Sequence, residues 1–479
     1  MRLRCLFLLT GAAMAGCAPT VHLPAADTQL PQSFEAPAAQ ADKGAVALDH
    51  WWTDFNDPQL TSLVTTALER STTARLAFAR IAEARAVRLQ SRASTLPTGN
   101  LTGSVTKQGV EQLWGGGDGS AAAALLGTAP YQASFTPSWE IDLFGRLAAI
   151  RDKADLDYRA SALDFYGARL ALAGDVAAAL FQSRYLAVQL DTANEALHIA
   201  RDLARSADIG RDRGLISGQD AARLEADVSS GEAEATRLEA ELRAAKRSLL
   251  ILTGQPTAPT DSLAIDAALA PPPALPEATP GLLLARRPDV RGAELSLESA
   301  ARTVQIDRLA LFPRFSIQPG AVLSGASAAG IGLWSIAGSV ALPVLDRARL
   351  LATLRISEAR GQQAVISYEQ AVQNAFGDAE NALTRVDAGR RRIDQLVLAT
   401  DRARYAFDAA RRGYSAGLTD LTTLLQAERV WLQNRTALDG ARFGLLSDTV
   451  TAIRALGGGW NPQADLSPAA PLPSSTEAP

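Results

Sequence analysis

The 479-residue sequence predicts a mostly helical chain with a small amphipathic β part, written twice in tandem. Three observations predict it. Two long stretches carry small and apolar residues in alternating steps of three and four, the spacing of a helix-packing seam. Four short segments alternate apolar with polar residues, the period of a strand with one oily face. The same parts recur in the same order in both halves.

The repeat is visible at three offsets. Arg287-Pro288-Asp289-Val290-Arg291-Gly292-Ala293 falls on Ser71 to Ala77 at a shift of 216, and both patterns end near a proline, Pro97 and Pro313. Leu143-Phe144-Gly145-Arg146 falls on Val344-Leu345-Asp346-Arg347 at a different offset. At a shift of 203, Gly174-Asp175 falls on Gly377-Asp378, Gly214-Leu215 on Gly417-Leu418, and Glu225 on Glu428. The halves meet at Pro256 to Pro280, which includes Pro271-Pro272-Pro273. Such a stretch cannot be helical and reads as a linker. The expected organisation is 1–16 signal peptide, 17–50 lipid-anchored segment, 51–255 first repeat, 256–280 linker, 281–457 second repeat and 458–479 tail.

Within each half, a first helix is expected over Pro58 to Ser94 and Pro288 to Ala310, the latter with proline in its first turn. Two strands follow, then a very long helix, a glycine break and a further helix. In the first long helix Leu163, Tyr166, Leu170, Ala173, Ala177 and Leu180 mark the seam. In the second, Val372, Ala375, Ala379, Ala382, Val386, Gly389, Ile393 and Leu396 do so. Alanine at so many of these positions implies close, slender packing. Leu147 to Arg205 is 59 residues, roughly 90 Å if continuous, which suits a structure that spans a gap.

The strands read as follows. Phe135, Trp139, Ile141 and Leu143 alternate with Ser134, Thr136, Ser138, Glu140 and Asp142. Phe315, Ile317, Ala321 and Leu323 alternate with Arg314, Ser316 and Gln318. Trp334, Ile336, Val340, Leu342 and Val344 oppose Ser335 and Ser339, and Leu101, Gly103 and Val105 make a weaker fourth. Four strands cannot close a membrane barrel, whose smallest usual form needs about eight. A barrel must therefore be shared between chains, and two chains would already supply eight strands.

Composition excludes several classes. Lys and Arg number 47 against 51 Asp and Glu, a net charge of −4, which gives no footing for nucleic acid. The histidines His22, His50 and His198 and the cysteines Cys5 and Cys17 show no metal-ligand spacing. A zinc site, a Cys/His nucleophile and a cofactor are not expected, and neither is an enzyme. Gly115-Gly116-Gly117 lacks the following Gly-Lys-Ser/Thr of a phosphate loop and reads as an extracellular loop between the first two strands. No apolar run reaches the length of a transmembrane helix.

Arg2 and Arg4 followed by Leu6 to Leu9 read as a secretory leader. Met14-Ala15-Gly16-Cys17 resembles a bacterial lipobox, with Met14 where leucine is usual. Once Cys5 leaves with the leader, Cys17 has no disulfide partner and is assigned as the lipidated, palmitate-bearing residue. Ala18 follows it, not the aspartate that in enteric bacteria favours inner-membrane retention, so the outer membrane is expected.

Trp51-Trp52 with Phe55 and Asp57, then Leu60 and Ala67-Leu68, resembles the N-terminal signature of TolC-like outer-membrane factors. Trp139-Glu140-Ile141-Asp142-Leu143-Phe144-Gly145-Arg146 resembles the segment in which their second strand passes into the long helix. Arg286-Arg287-Pro288-Asp289-Val290-Arg291 is similar to a helix start of the lipoprotein branch of that family. Leu311-Phe312-Pro313 and Tyr414 to Thr419 leading to Leu424-Leu425-Gln426-Ala427 complete a resemblance over residues 50 to 457.

The resemblance implies a homotrimeric outer-membrane β-barrel, four strands per chain, continued by a long periplasmic α-helical barrel. It implies a passive exit duct of a tripartite efflux pump for small molecules such as drugs or toxic compounds. The partners would be a periplasmic adaptor (membrane fusion) protein, an inner-membrane transporter of the resistance-nodulation-division class, and outer-membrane lipid. The alternative is a lipid-anchored periplasmic adaptor or coiled-coil scaffold, which usually contributes a single helical hairpin. The adaptor-contact tips would be Gly214, Leu215 and Ser217, and Gly417, Leu418 and Thr419. The family's acidic aperture position is Gln426 here, with neutral Thr423 near it, which leaves Asp420, Asp220 and Arg223 as candidate aperture charges.

The leader yields the first test. Cys17→Ser should block lipid labelling and processing at that site while leaving the barrel able to assemble. Mass spectrometry of the mature N-terminus reads it, and an unmodified Cys17 in the natural protein would contradict the assignment.

Overall fold

The computed structural model describes residues 23–36, 48–107, 130–214, 216–275, 279–326 and 329–460. Cys17, the leader and the Gly115–Gly117 segment lie outside the described residues. The elements are, in order, a short 3-10 segment Leu48–Phe55 broken at His50, α1 (Pro58–Arg70), α2 (Thr72–Ala93), β1 (Thr98–Val105) and β2 (Tyr131–Ile141). Then come α3 (Arg146–Asp212), α4 (Gly218–Leu252), a 3-10 turn Thr260–Ser262, α5 (Pro280–Arg286) and α6 (Pro288–Leu309). Last are β3 (Arg314–Ala326), β4 (Ala329–Ala341), α7 (Arg347–Ser415) and α8 (Leu421–Ala455). The chain forms two compact units, each drawing on both halves of the sequence.

The first unit comprises Ala82–Ala160 and Ala293–Tyr368 with the start of the chain. It holds one antiparallel four-stranded sheet in the order β1-β2-β3-β4. The register sets Leu101 opposite Phe135, Phe135 opposite Ala321, and Ala321 opposite Trp334. Trp139 lies opposite Ile317 on the same parity, so the apolar positions read from alternation share one face, while Val322, Ile331 and Leu333 fall on the other. Hydroxyls line the other face: Thr102 and Ser134 are joined at 2.7 Å, and Ser316 and Ser339 at 2.6 Å. Pairing of β2 with β3 lapses between Phe135 and Trp139 and then resumes in the same register. That gap holds Pro137 and Pro319, which have no N–H to donate. The strands stop at Ile141 and Ala341, so Leu143, Leu342 and Val344, assigned to them from alternation, fall in the turns beyond.

Those turns explain two motifs. Arg146 pairs with Glu140 at 2.7 Å, and the Asp142 carboxylate accepts the Ala148 N–H at 2.8 Å, capping α3. Phe144 meets Phe312 with ring centroids 5.1 Å apart. The Leu-Phe-Gly and Leu-Phe-Pro turns of the two halves thus seal against one another. Below them Asp155 takes Arg88 at 2.6 Å and Arg92 at 2.7 Å, a bidentate arrangement that fixes α2 against α3.

The second unit comprises Asp27–Ile81, Ser161–Gly292 and the chain from Glu369. Its core holds the seam alanines: Ala173, Ala177, Ala379 and Ala382 are buried with Val176, Leu180 and Val386. Trp51 is fully buried beside Trp52 and Phe55, and Phe55 packs on Phe181 at 5.5 Å. Asp57 caps α1 by accepting the Leu60 N–H at 3.1 Å and pairs with Arg184. The proline-rich connection lies along this core, with Leu263, Ile265 and Leu269 packed against it and Leu275 buried in it.

The first helix expected over Pro58 to Ser94 is two helices. Ser71 is extended (ψ 149°), and its hydroxyl accepts the Ala74 N–H at 3.0 Å, which starts α2. The apolar period runs through Ser71 unchanged, so periodicity gave no sign of the break. Its repeat mate Arg287 is likewise extended (ψ 120°) between α5 and α6.

Equivalence also holds where each half closes. Gly254 (φ +76°) and Gly457 (φ +77°) follow α4 and α8, and Gln255 and Gly458 return N–H bonds to Leu250 and Ile453 at 2.8 and 3.0 Å. This left-handed cap favours glycine. A Cβ on Gly254 would sit 2.8 Å from the Arg70 carbonyl oxygen, and one on Gly457 2.8 Å from that of Arg286. Each half is thus closed by a glycine against its own helix junction.

Gly457→Ala should therefore cost about 1–3 kcal/mol through strain and backbone collision. Thermal unfolding of the purified protein reads it, with Gly254→Ala expected to behave alike. An unchanged melting temperature in both variants would contradict the closure.

Candidate functional site: the paired helix breaks

Both glycine breaks lie in the second unit and are built alike. Gly214 and Gly417 each have φ +72°. The Gly417 N–H donates to the Tyr414 carbonyl at 3.0 Å, and the Leu418 N–H to the Gly413 carbonyl at 2.8 Å. Together they satisfy the last carbonyls of α7 in a Schellman cap. In the first hairpin the Gly214 N–H donates to Arg211 at 2.9 Å. Gly210 and Gly413, four residues earlier, make room for Ile216 and Thr419 folding back on the helix. Leu418 is 85% exposed at the turn. Leu215, its equivalent, lies outside the described residues.

The helices that leave the turns are capped by different side chains. Ser217 Oγ accepts the Asp220 N–H at 3.1 Å and donates to the Asp220 carboxylate at 2.7 Å, a reciprocal arrangement like a capping box. Asp420 Oδ1 accepts the Thr423 N–H at 2.7 Å. This bond holds the exposed Asp420 carboxyl below its ordinary range. Both aspartates assigned as aperture candidates thus have a local task at a helix start. Gln426 is exposed six residues beyond Asp420.

The two turns share one end of the helices. Ala204, Ala207, Ala221 and Leu224 form the core of the first hairpin, and Leu421 and Leu425 of α8 pack against it. Ala403, Phe407, Leu424 and Trp431 form that of the second, with Leu203 of α3 joining both. Phe407 and Trp431 stack at 5.1 Å, almost parallel. Eight of the assigned tip and aperture residues, Gly214, Ser217, Asp220, Gly417, Leu418, Thr419, Asp420 and Thr423, therefore sit at the turns themselves or within the first turn after them. Arg223 lies farther along, on a groove of about 600 Å³ between α3, α4 and α8.

Sequence reasoning missed a residue on that groove. Glu428 is 8% exposed on the buried stripe Leu424–Glu428–Trp431. Burial, with Asp227 beside it, pushes its carboxyl up to about 7. An acid at a spacing of four and three from two seam residues was the available signal.

The family described as outer membrane efflux protein matches residues 63–255 and, a second time, residues 279–458. The pyoverdine export outer membrane protein OpmQ of Pseudomonas putida is 29% identical over 472 residues, covering 96% of this chain and 98% of that protein. The probable outer membrane lipoprotein SilC of Salmonella typhimurium is 26% identical over 482 residues, covering 96% and 99%. Among solved structures, the outer-membrane channel OprN superposes with a TM-score of 0.79 at 28% identity, over 93% of this chain and 100% of that one.

Proposed function

The chain belongs to the outer membrane efflux protein family and is an outer-membrane channel; from that premise we propose that three copies close one twelve-stranded barrel and serve as the passive exit duct of a tripartite pump. The observation that carries this reading is the sheet. Its apolar face is open, with Trp334 80% exposed and Ile336 70%, and among the described residues β1 and β4 each have one edge without a partner strand. An open edge cannot stand in hydrocarbon, because no water is there to satisfy its N–H and C=O groups. Among the described residues no helix is long and apolar enough to cross a membrane.

Helices α3 and α7, of 67 and 69 residues, each measure roughly 100 Å at 1.5 Å per residue. That length supports a tunnel through the periplasm. At its far end the paired turns would meet a periplasmic adaptor through Leu418 and Leu215, with an inner-membrane transporter of the resistance-nodulation-division class supplying the energy. Cys17 would carry the lipid anchor, in keeping with the name of SilC. No chemistry is asked of the chain, since it conducts what the transporter delivers.

Two measurements test the reading. Gly417→Val places a branched residue at φ +72° and displaces Leu418. It should raise accumulation of a fluorescent cargo dye several-fold in complemented cells while leaving the trimer abundant. Survival of export, or loss of the trimer, would contradict the tip assignment. In planar bilayers multivalent cations should block the natural channel weakly, because Gln426 holds the family's acidic position. Gln426→Asp should introduce strong, pH-dependent block. Strong block of the natural channel, removed by Asp420→Asn or Asp220→Asn, would move the ring to those residues.

A further inference from the structure

The groove behind the turns contains an arrangement that packing alone would not select. Glu428 lies on α8 between Leu424 and Trp431, both buried at the same seam. From α3 the groove presents Leu197, Ala200 and Leu203, all apolar. The charged residues of α3 nearby are engaged elsewhere: Glu195 with Arg435 of α8, and Arg201 with Glu232 of α4 at 2.7 Å. From α4 the groove presents Arg223 and Asp227, and from α8 itself Arg429. On the α7 side the cations Arg404 and Arg411 lie over the rings of Trp431 and Phe407. No ion pair or hydrogen bond reaches the Glu428 carboxylate among the described residues. Besides burial, the influence that raises its carboxyl is a second acid, Asp227.

The repeat supplies an internal control. Glu225, the equivalent residue of the first hairpin, is exposed and pairs with Arg211 at 3.5 Å. One half thus places this glutamate in water beside a cation. The other buries it against leucines and an aspartate, where glutamine or leucine would pack at lower cost.

We propose that Glu428 is a proton-operated latch: protonated, it seats in the seam and holds the start of α8 against the α3–α4 hairpin; ionised, it draws the first two turns of α8 out of the seam. The direction follows from linkage. The seated carboxyl keeps its proton up to about 7, whereas the same group in water loses it near 4.5. As pH rises from about 4.5 to about 7 the seated state loses ground to the released one, and above that the difference is constant. The turn that carries Leu418 precedes this seam, so its hold is relaxed when the surroundings are neutral or alkaline. The latch rests on the exit-duct reading only for that consequence at the tip.

Hydrogen–deuterium exchange on the full-length trimer in detergent tests it, followed over the start of α8 and corrected for intrinsic exchange. Opening should increase about tenfold between about pH 6 and about pH 8 in the natural protein. Glu428→Gln should flatten the profile and keep the segment protected, as should Glu428→Leu. Asp227→Asn should make the rise level off at a lower pH. An equal rise in Glu428→Gln, or no rise in the natural protein, would overturn the latch. Bilayer conductance over the same range separates the two readings. A pH-dependent conductance lost in Glu428→Gln supports both. A trimer that exchanges as expected yet never conducts supports the latch and strikes the exit-duct reading.

Discussion

A four-stranded sheet whose two edges and apolar face are left open by the described residues is the constraint on which the rest depends. Its register is unambiguous, because Leu101, Phe135, Ala321 and Trp334 line up on one face while hydroxyls bond across the other. A slip of one residue would turn Leu101, Phe135 and Trp334 to the side that carries the hydroxyls. Such a sheet is a poor ending in water, where open edges recruit further strands, and it cannot close alone. Membership of the outer membrane efflux protein family gives this edge its use: it is completed by other copies of the chain.

The repeat shows how long helices are held together along alanine-rich seams. The seam alanines let helices approach closely, so specificity falls to the ends of the elements. There the same solution appears twice. Gly214 and Gly417 turn the hairpins, while Gly254 and Gly457 close each half against Arg70 and Arg286. The halves also differ in particular side chains. Ser217 caps one hairpin and Asp420 the other, and Glu225 is in water where Glu428 is buried.

Much of this was legible in the sequence. The seam of α3 could be read from Leu163 to Leu180 because a spacing of three and four has one meaning over many turns. The strand faces could be read because alternation fixes parity. The glycine breaks were visible because the family's turn and the backbone requirement coincide at Gly417. What escaped were features set by side-chain hydrogen bonds and by burial. Ser71 splits the first helix through one hydroxyl contact, with no change in apolar period. Leu143 and Leu342 continue the alternation past the true strand ends, since alternation does not register where pairing stops. Glu428 stood out in the sequence only as the repeat mate of Glu225, because spacing does not register which neighbours bury a side chain.

The central claim is that β1 of one copy pairs with β4 of the next. Cysteines introduced at Gly103 and Gly332, on the two edge strands and facing the same side of the sheet as Leu101 and Trp334, test it most directly. Oxidation in cells, followed by electrophoresis under non-reducing conditions, should convert the double variant into covalent trimers through dimers, with neither single variant doing so. Chains that remain monomeric while correctly inserted, or ladders that run past the trimer, would contradict a barrel closed by three copies.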